Sequence, residues 1–81
     1  MIRIEKYYLE WCKPCNLVQR HFDKLNLKVE QFEMSDIKKR DRYIRNKKLT
    51  NVPTIIFYKW EKEIARLNWE ISEKDILAII K

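Results

Sequence analysis

The chain has 81 residues, 37% of them charged, and 18 Lys and Arg against 12 Asp and Glu give a formal net charge of +6. That length accommodates one small domain, over residues 1–81, with a core near the lower limit for independent folding. No run of eighteen apolar residues occurs, so no membrane-spanning helix is expected.

The first strand is predicted over residues 2–9, with Ile2, Ile4, Lys6 and Tyr8 on one face and Arg3, Glu5, Tyr7 and Leu9 on the other. It reads as central and buried. The chain opens directly into this pattern, interrupted by Arg3, Glu5 and Lys6, so no secretory signal is expected.

Next comes Trp11-Cys12-Lys13-Pro14-Cys15, which holds the only two cysteines. Leu17, Val18, His21, Phe22 and Leu25 follow with helical period, predicting a helix over about 13–25. Pro14 fits only the first turn of such a helix, where a missing N–H costs nothing. The pair therefore straddles a helix N-terminus, where backbone N–H groups and the macrodipole favour an anion such as a thiolate. Both this setting and Cys-x-x-Cys spacing lower a cysteine pKa. Cys15, Val18, Phe22 and Leu25 step along the core-facing side, which places Cys15 inward. Cys12 is expected at an exposed tip beside Trp11. An accessible nucleophile with a shielded partner can attack a disulfide and then resolve the mixed disulfide. Lys13 adds a positive charge beside that nucleophile, and Pro14 stiffens the turn between the sulfurs. Cys12, Cys15 and His21 supply at most three metal ligands, one short of a structural zinc site. His21 reads as a packing residue. Without a secretory signal, the spacing indicates redox chemistry rather than a structural staple, and a reducing cytoplasm is the expected compartment.

A second strand over about 28–34 has the mixed pattern of a sheet edge. Ser35 is expected to cap a second helix over about 36–48, with Asp36 in its first turn. Its apolar stripe is thin (Ile37, Ile44, Tyr43, Leu49), and its charges are placed to form exposed pairs with Glu5, which contribute little. Seven of the eighteen basic residues and one of the twelve acidic ones lie between Lys38 and Lys48, so the net charge belongs to this segment. It reads as a solvated face or as a docking patch for an acidic partner. Nucleic-acid binding is disfavoured, because Tyr43 is the only aromatic within the segment and no recognised binding motif accompanies it.

Asn51-Val52-Pro53-Thr54 opens a third strand running to about Lys59. A turn through Trp60 and Glu61, with Trp60 partly packed, leads to a fourth strand over about 62–68. Ser72-Glu73-Lys74-Asp75 has the form of a capping box and starts a last helix with Ile76, Leu77, Ile79 and Ile80 on its apolar face. Glycine is absent, so positions needing φ > 0 are expected to fall to Asn, first Asn26 and then Asn46 and Asn68. The order β-α-β-α-β-β-α implies a four-stranded mixed sheet, with helices one and three on one face and helix two on the other.

Trp-Cys-x-Pro-Cys, with Val52-Pro53-Thr54 thirty-eight residues further on at the head of a strand, resembles the thioredoxin and glutaredoxin superfamily. The likeness covers nearly the whole chain: a minimal thioredoxin fold at glutaredoxin size, with a thioredoxin-like site. It implies a thiol–disulfide oxidoreductase in which Cys12 attacks and Cys15 resolves. It also implies a cis Pro53 across from the sulfurs, with Trp11 covering one side of the cleft and Val52 and Thr54 beside the substrate. No bound cofactor is implied. Electrons would come from a thioredoxin reductase or from glutathione, and a non-catalytic binding module is the further alternative. The Gly-Gly and acidic pair with which many glutaredoxins hold glutathione are missing from Asn68-Trp69-Glu70-Ile71-Ser72. Partners of this class are disulfide-containing proteins, with ribonucleotide reductase a frequent client, and a monomer is expected. Lys6 occupies the position where thioredoxins typically carry a buried aspartate. It either snorkels to the surface or stays as a partly buried cation that favours thiolate.

Overall fold

In the computed structural model, which describes residues 2–81, the element order is β1 (Ile2–Tyr8), α1 (Lys13–Lys24), β2 (Glu30–Glu33), α2 (Ile37–Lys47), β3 (Thr54–Lys59), β4 (Lys62–Asn68) and α3 (Glu73–Ile80). The sheet order is β2-β1-β3-β4. β1 runs parallel to β2 and antiparallel to β3, and β3 and β4 form an antiparallel hairpin. The minimal thioredoxin fold expected from the sequence is the fold observed, with β1 inside the sheet and β2 at its edge.

Alternation along β1 and β3 splits the interior in two. Ile4, Ile55 and Phe57 face Val18 and Phe22 of α1 and Ile76 of α3. Tyr7, Ile56 and Tyr58 face the opposite way, with Met34 and Leu49, under α2. Tyr7 stacks on Phe32 at 4.9 Å between centroids, and Tyr43 packs edge-on against both rings. No α2 residue is fully buried, so the thin stripe covers its face lightly, as anticipated.

The helix ends differ in part from the sequence reading. α1 closes with Asn26 at φ 57°, its N–H donating to the Asp23 carbonyl and that of Leu27 to Phe22. This is a Schellman closure with Asn in the glycine position. α2 is capped by Asp36, not Ser35. The Asp36 carboxylate accepts from the Lys38 and Lys39 N–H groups, while the Ser35 hydroxyl turns back to Glu33. Two adjacent capping residues competed, and the carboxylate, which can accept from two N–H groups at once, took the position. The capping box at Ser72 and Asp75 forms as expected.

Positive φ falls on Lys48, Trp60 and Trp69 rather than on Asn46 and Asn68. Lys48 ends α2 in the left-handed region, with the Leu49 N–H reaching the Ile44 carbonyl. Trp60 opens a two-residue hairpin loop between paired Lys59 and Lys62, where the turn geometry demands φ > 0 whatever the side chain. It is 78% exposed, so little of its ring is packed. A register shift between Phe57 and Tyr58 places Ala65 opposite one and Glu63 opposite the other. The extra residue, Ile64, is therefore exposed. It also reverses the strand's parity, so Glu63 and Arg66 share a face and pair at 2.8 Å.

Candidate active site

The end of β1 delivers the chain to α1 through a tight turn. The Cys12 N–H donates to the Leu9 carbonyl at 3.2 Å, and the Asn16 side chain reaches the Glu10 carbonyl at 3.4 Å. Cys12 has extended backbone (φ −86°, ψ 115°) and is the N-cap of α1. Its Sγ accepts the Cys15 N–H at 3.2 Å. A sulfur thus occupies the role in which Ser, Thr or Asp oxygens usually satisfy a first-turn donor. Lys13 and Pro14 complete that turn, with Lys13 exposed.

Cys12 and Cys15 form a disulfide, with Cα atoms 5.2 Å apart, inside the range such a bridge requires. The spacing reading of Cys15 holds: it is fully buried on the core face of α1. The exposed tip expected at Cys12 is corrected. That residue is only 6% exposed, because as N-cap its sulfur turns back toward the first-turn N–H of Cys15 and the bond to Cys15 draws it inward. Trp11 beside it is 79% exposed.

The second motif lies at the same end of the sheet. Tyr7 pairs with Thr54, so Pro53 stands one step further on, alongside Tyr8 and close to where Leu9 holds Cys12. The Val52–Pro53 peptide is cis. The Pro53 carbonyl accepts the Trp69 N–H at 3.0 Å. The buried Thr54 hydroxyl donates to the Asn51 carbonyl at 2.6 Å and lies 3.1 Å from the Asn68 side-chain amide. Among the described residues, the Val52 N–H and C=O have no partner within the chain. One groove runs along Pro14, Leu17, His21 and Ile71, with His21 half-buried on its wall. A second runs along Leu9, Met34, Ile44, Leu49 and Val52 on the α2 side.

Lys6 is 2% exposed, so it does not snorkel to water. Its Nζ donates to Gln19 Oε1 at 2.8 Å and Gln31 Oε1 at 3.4 Å and stands 4.5 Å from the Tyr8 ring centroid. Burial pushes its pKa below the usual lysine value, and the negative charge of Asp23 opposes that shift. Gln19, four residues after Cys15 on the same helix, is the partner the sequence reading missed. The signal was present, since a charged residue in a core strand requires one.

Glu5 was also misread. Its pairing with α2 is not exposed, for Glu5 is 5% exposed. Tyr7 Oη donates to it at 2.8 Å, Arg3 pairs with it, and Lys47 Nζ stands 3.4 Å away. Burial pushes the Glu5 carboxyl up, but the Tyr7 and Arg3 hydrogen bonds and the Lys47 charge prevail and hold it below the usual carboxylate value. Lys47 also donates to Tyr58 Oη at 2.8 Å, and Arg66 donates to the Lys47 carbonyl at 2.6 Å. No cluster of three or more His, Cys, Asp or Glu able to hold a metal occurs among the described residues.

Comparison with known proteins agrees with this geometry. A thioredoxin family model matches residues 2–81. The chain is 29% identical over 66 residues to thioredoxin domain-containing protein 2 of Rattus norvegicus, covering 79% of this chain and 12% of the relative. It is 29% identical over 84 residues to Thioredoxin 2 of Plasmodium falciparum, covering 93% of this chain and 50% of the relative. The chain thus spans half, or much less, of the length of these curated relatives. A mutant thioredoxin from Halobacterium salinarum superposes with a TM-score of 0.80 at 14% identity, covering 98% of this chain and 71% of that one. A cysteine pair closed at the head of α1, a cis-proline strand beside it and a family match across residues 2–81 converge, and the chain belongs to the thioredoxin family.

Proposed function

We propose that the thiol–disulfide chemistry of this site runs as reduction of protein disulfides, with electrons supplied by a thioredoxin reductase. The observation that carries the reading is the Cys12–Cys15 disulfide with Cys12 Sγ at the N-cap of α1. A thiolate accepts the Cys15 N–H more strongly than a disulfide sulfur does, because the acceptor is then charged. The helix terminus therefore favours the anion that attacks. Cys12 thiolate displaces one sulfur of a substrate disulfide, giving a mixed disulfide and a substrate thiolate. Cys15, losing its proton, then attacks Cys12 Sγ, releases the second substrate thiolate and closes the disulfide. Two electrons pass to the substrate, and the protons follow through solvent. Lys6, while charged, has no capacity to accept the Cys15 proton. Its positive charge favours the thiolate side of each step.

The unpaired Val52 backbone supports docking of an extended substrate segment as an added strand, with Pro53 and Thr54 shaping the adjacent wall. A reducing cytoplasm is the compartment that suits this direction. The test is insulin reduction followed by turbidity. The wild type accelerates precipitation with dithiothreitol, Cys12→Ser does not, and Cys15→Ser accumulates a covalent adduct with substrate. NADPH with thioredoxin reductase replaces dithiothreitol, while glutathione with its reductase does not. Undiminished activity in Cys12→Ser would overturn the reading, and turnover with glutathione alone would reassign the donor.

A further inference from the structure

The groove on the α2 side adjoins the redox site but takes no part in the steps above. Leu9, Met34, Ile44, Leu49 and Val52 line it, and Arg40 is the charged residue on its wall. Among the described residues, Arg40 has no acidic partner. The same helix presents Ile37, Arg40 and Ile44 at steps of three and four, one stripe along its length. Ile37 and Ile44 are both exposed. Lys38, Lys39, Arg42, Arg45 and Lys48 are exposed on the rest of the segment and in no salt bridge among the described residues. Lys47 is the one basic residue of the segment committed internally, to Glu5 and Tyr58. Asp41 is the single acid within it.

We infer that this groove and the basic rim of α2 select the substrate: a disulfide-bearing protein segment that carries acidic residues and an apolar side chain close to the cysteine being reduced. The inference rests on the reductase reading above and names the substrate class of the same site. Charge complementarity picks the acidic partner, since the segment Lys38–Lys48 carries a formal charge equal to the net charge of the whole chain. The apolar lining, and the free Val52 N–H and C=O at its edge, favour a polypeptide over nucleic acid. Tyr43, the one aromatic of the segment, is turned inward against Tyr7 and Phe32, so the helix offers no ring on which bases would stack. Attraction between unlike surfaces acts chiefly on the rate of encounter and weakens with salt.

The test uses the full chain, reduced, and three disulfide peptides that differ only in their flanks: Leu with Glu and Asp, Leu with Lys, and Ser with Gln. Second-order reduction rates are measured at about 20 mM and about 500 mM salt, with bis(2-hydroxyethyl) disulfide as an uncharged reference for the thiol chemistry itself. The acidic peptide is expected to react about ten-fold faster than the Ser/Gln peptide at low salt, with most of that advantage lost at high salt. An Arg40→Glu/Arg45→Glu variant, checked for folding by circular dichroism, should invert the order of the acidic and basic peptides. Equal rates for all three peptides would overturn the selection while leaving the reductase intact. Failure to reduce any of the four disulfides would instead sink the reductase reading, and the selection with it. Undiscriminated peptides together with retention of a single-stranded oligonucleotide at about 150 mM salt, lost in the variant, would assign the patch to nucleic acid and overturn it likewise.

Discussion

Glu5 anchors the α2 side of the sheet, and its removal tests the energetics most directly. In Glu5→Ala, the Tyr7 hydroxyl loses its acceptor inside a fully buried side chain, at a cost of about 1–3 kcal/mol. Arg3 and Lys47 lose a common partner, but both are partly solvated, so each loss is held to about 0.5 kcal/mol. Glu5→Ala is therefore expected to cost about 3 kcal/mol. Glu5→Gln keeps an acceptor for Tyr7 and should cost about 1 kcal/mol. For a domain this size, each kilocalorie lowers Tm by about 4–8 °C. Urea unfolding of both variants, read by tryptophan fluorescence, measures the difference. The pH dependence supplies the sign. Because the folded Glu5 carboxyl lies below its ordinary value, its stabilisation is present above about pH 4.5 and is lost as pH falls through the lower, folded value. The gap between wild type and Glu5→Gln should be flat above about pH 6 and close toward pH 3. Equal stabilities for Ala and Gln, or a gap unchanged at pH 3, would refute the network.

Two further substitutions probe the backbone and the α1 side. Lys48→Gly should raise stability by about 0.5–1 kcal/mol in urea titration, since Lys48 sits at φ 55° and only glycine holds that region without a Cβ penalty. A loss of stability would mean that the lysine side chain contributes more than its backbone costs. Lys6→Met should be about 1 kcal/mol more stable than wild type at pH 7, because a buried cation held mainly by neutral partners is replaced by an apolar chain. The depressed Lys6 pKa means the unfolded chain binds more protons between the folded value and about 10.5. Wild type should therefore gain on the variant as pH rises through that window, and a gap that widens would refute the assignment.

The element order was legible because the periodicities are clean. Val18, Phe22 and Leu25 read as one helix face and Ile55 to Tyr58 as a strand from the sequence alone. The Cys-x-x-Cys pair was legible because Pro14 has only one tolerable place in a helix. What escaped the sequence depends on geometry set elsewhere. Trp60 and Lys48 take left-handed backbone because a two-residue hairpin and a Schellman-like end require it, and neither side chain announces that. Ile64 is exposed because of a register shift between Phe57 and Tyr58 that the strand pattern does not reveal. Cys12 looked exposed because a residue before a helix usually is, yet its role as cap and bridge draws it in. Glu5 looked like half of a surface pair because alternation alone does not reveal that Tyr7, on the same face, closes over it.

These departures share a cause. α1 presents Cys15, Val18 and Phe22 to an apolar interior, and burying Val18 and Phe22 contributes about 1.5–3 kcal/mol each. That anchorage does not depend on salt or pH, and it fixes the helix end where the sulfurs sit. α2 buries nothing fully. It is fixed instead by Tyr43 against two rings, by Lys47 on Glu5 and Tyr58, and by Arg66 on its last carbonyls. The last two are polar restraints, and the Lys47 one is satisfied because Glu5 was buried to receive it. With Lys47 alone committed inward, Arg40 stands on the groove that borders Val52 and the other basic residues of α2 are exposed. The two faces of the sheet are therefore held differently: one fixes the cysteine pair by hydrophobic burial, and the other commits Lys47 to stability and leaves the remaining α2 charges exposed, the surface on which the proposed substrate selection depends.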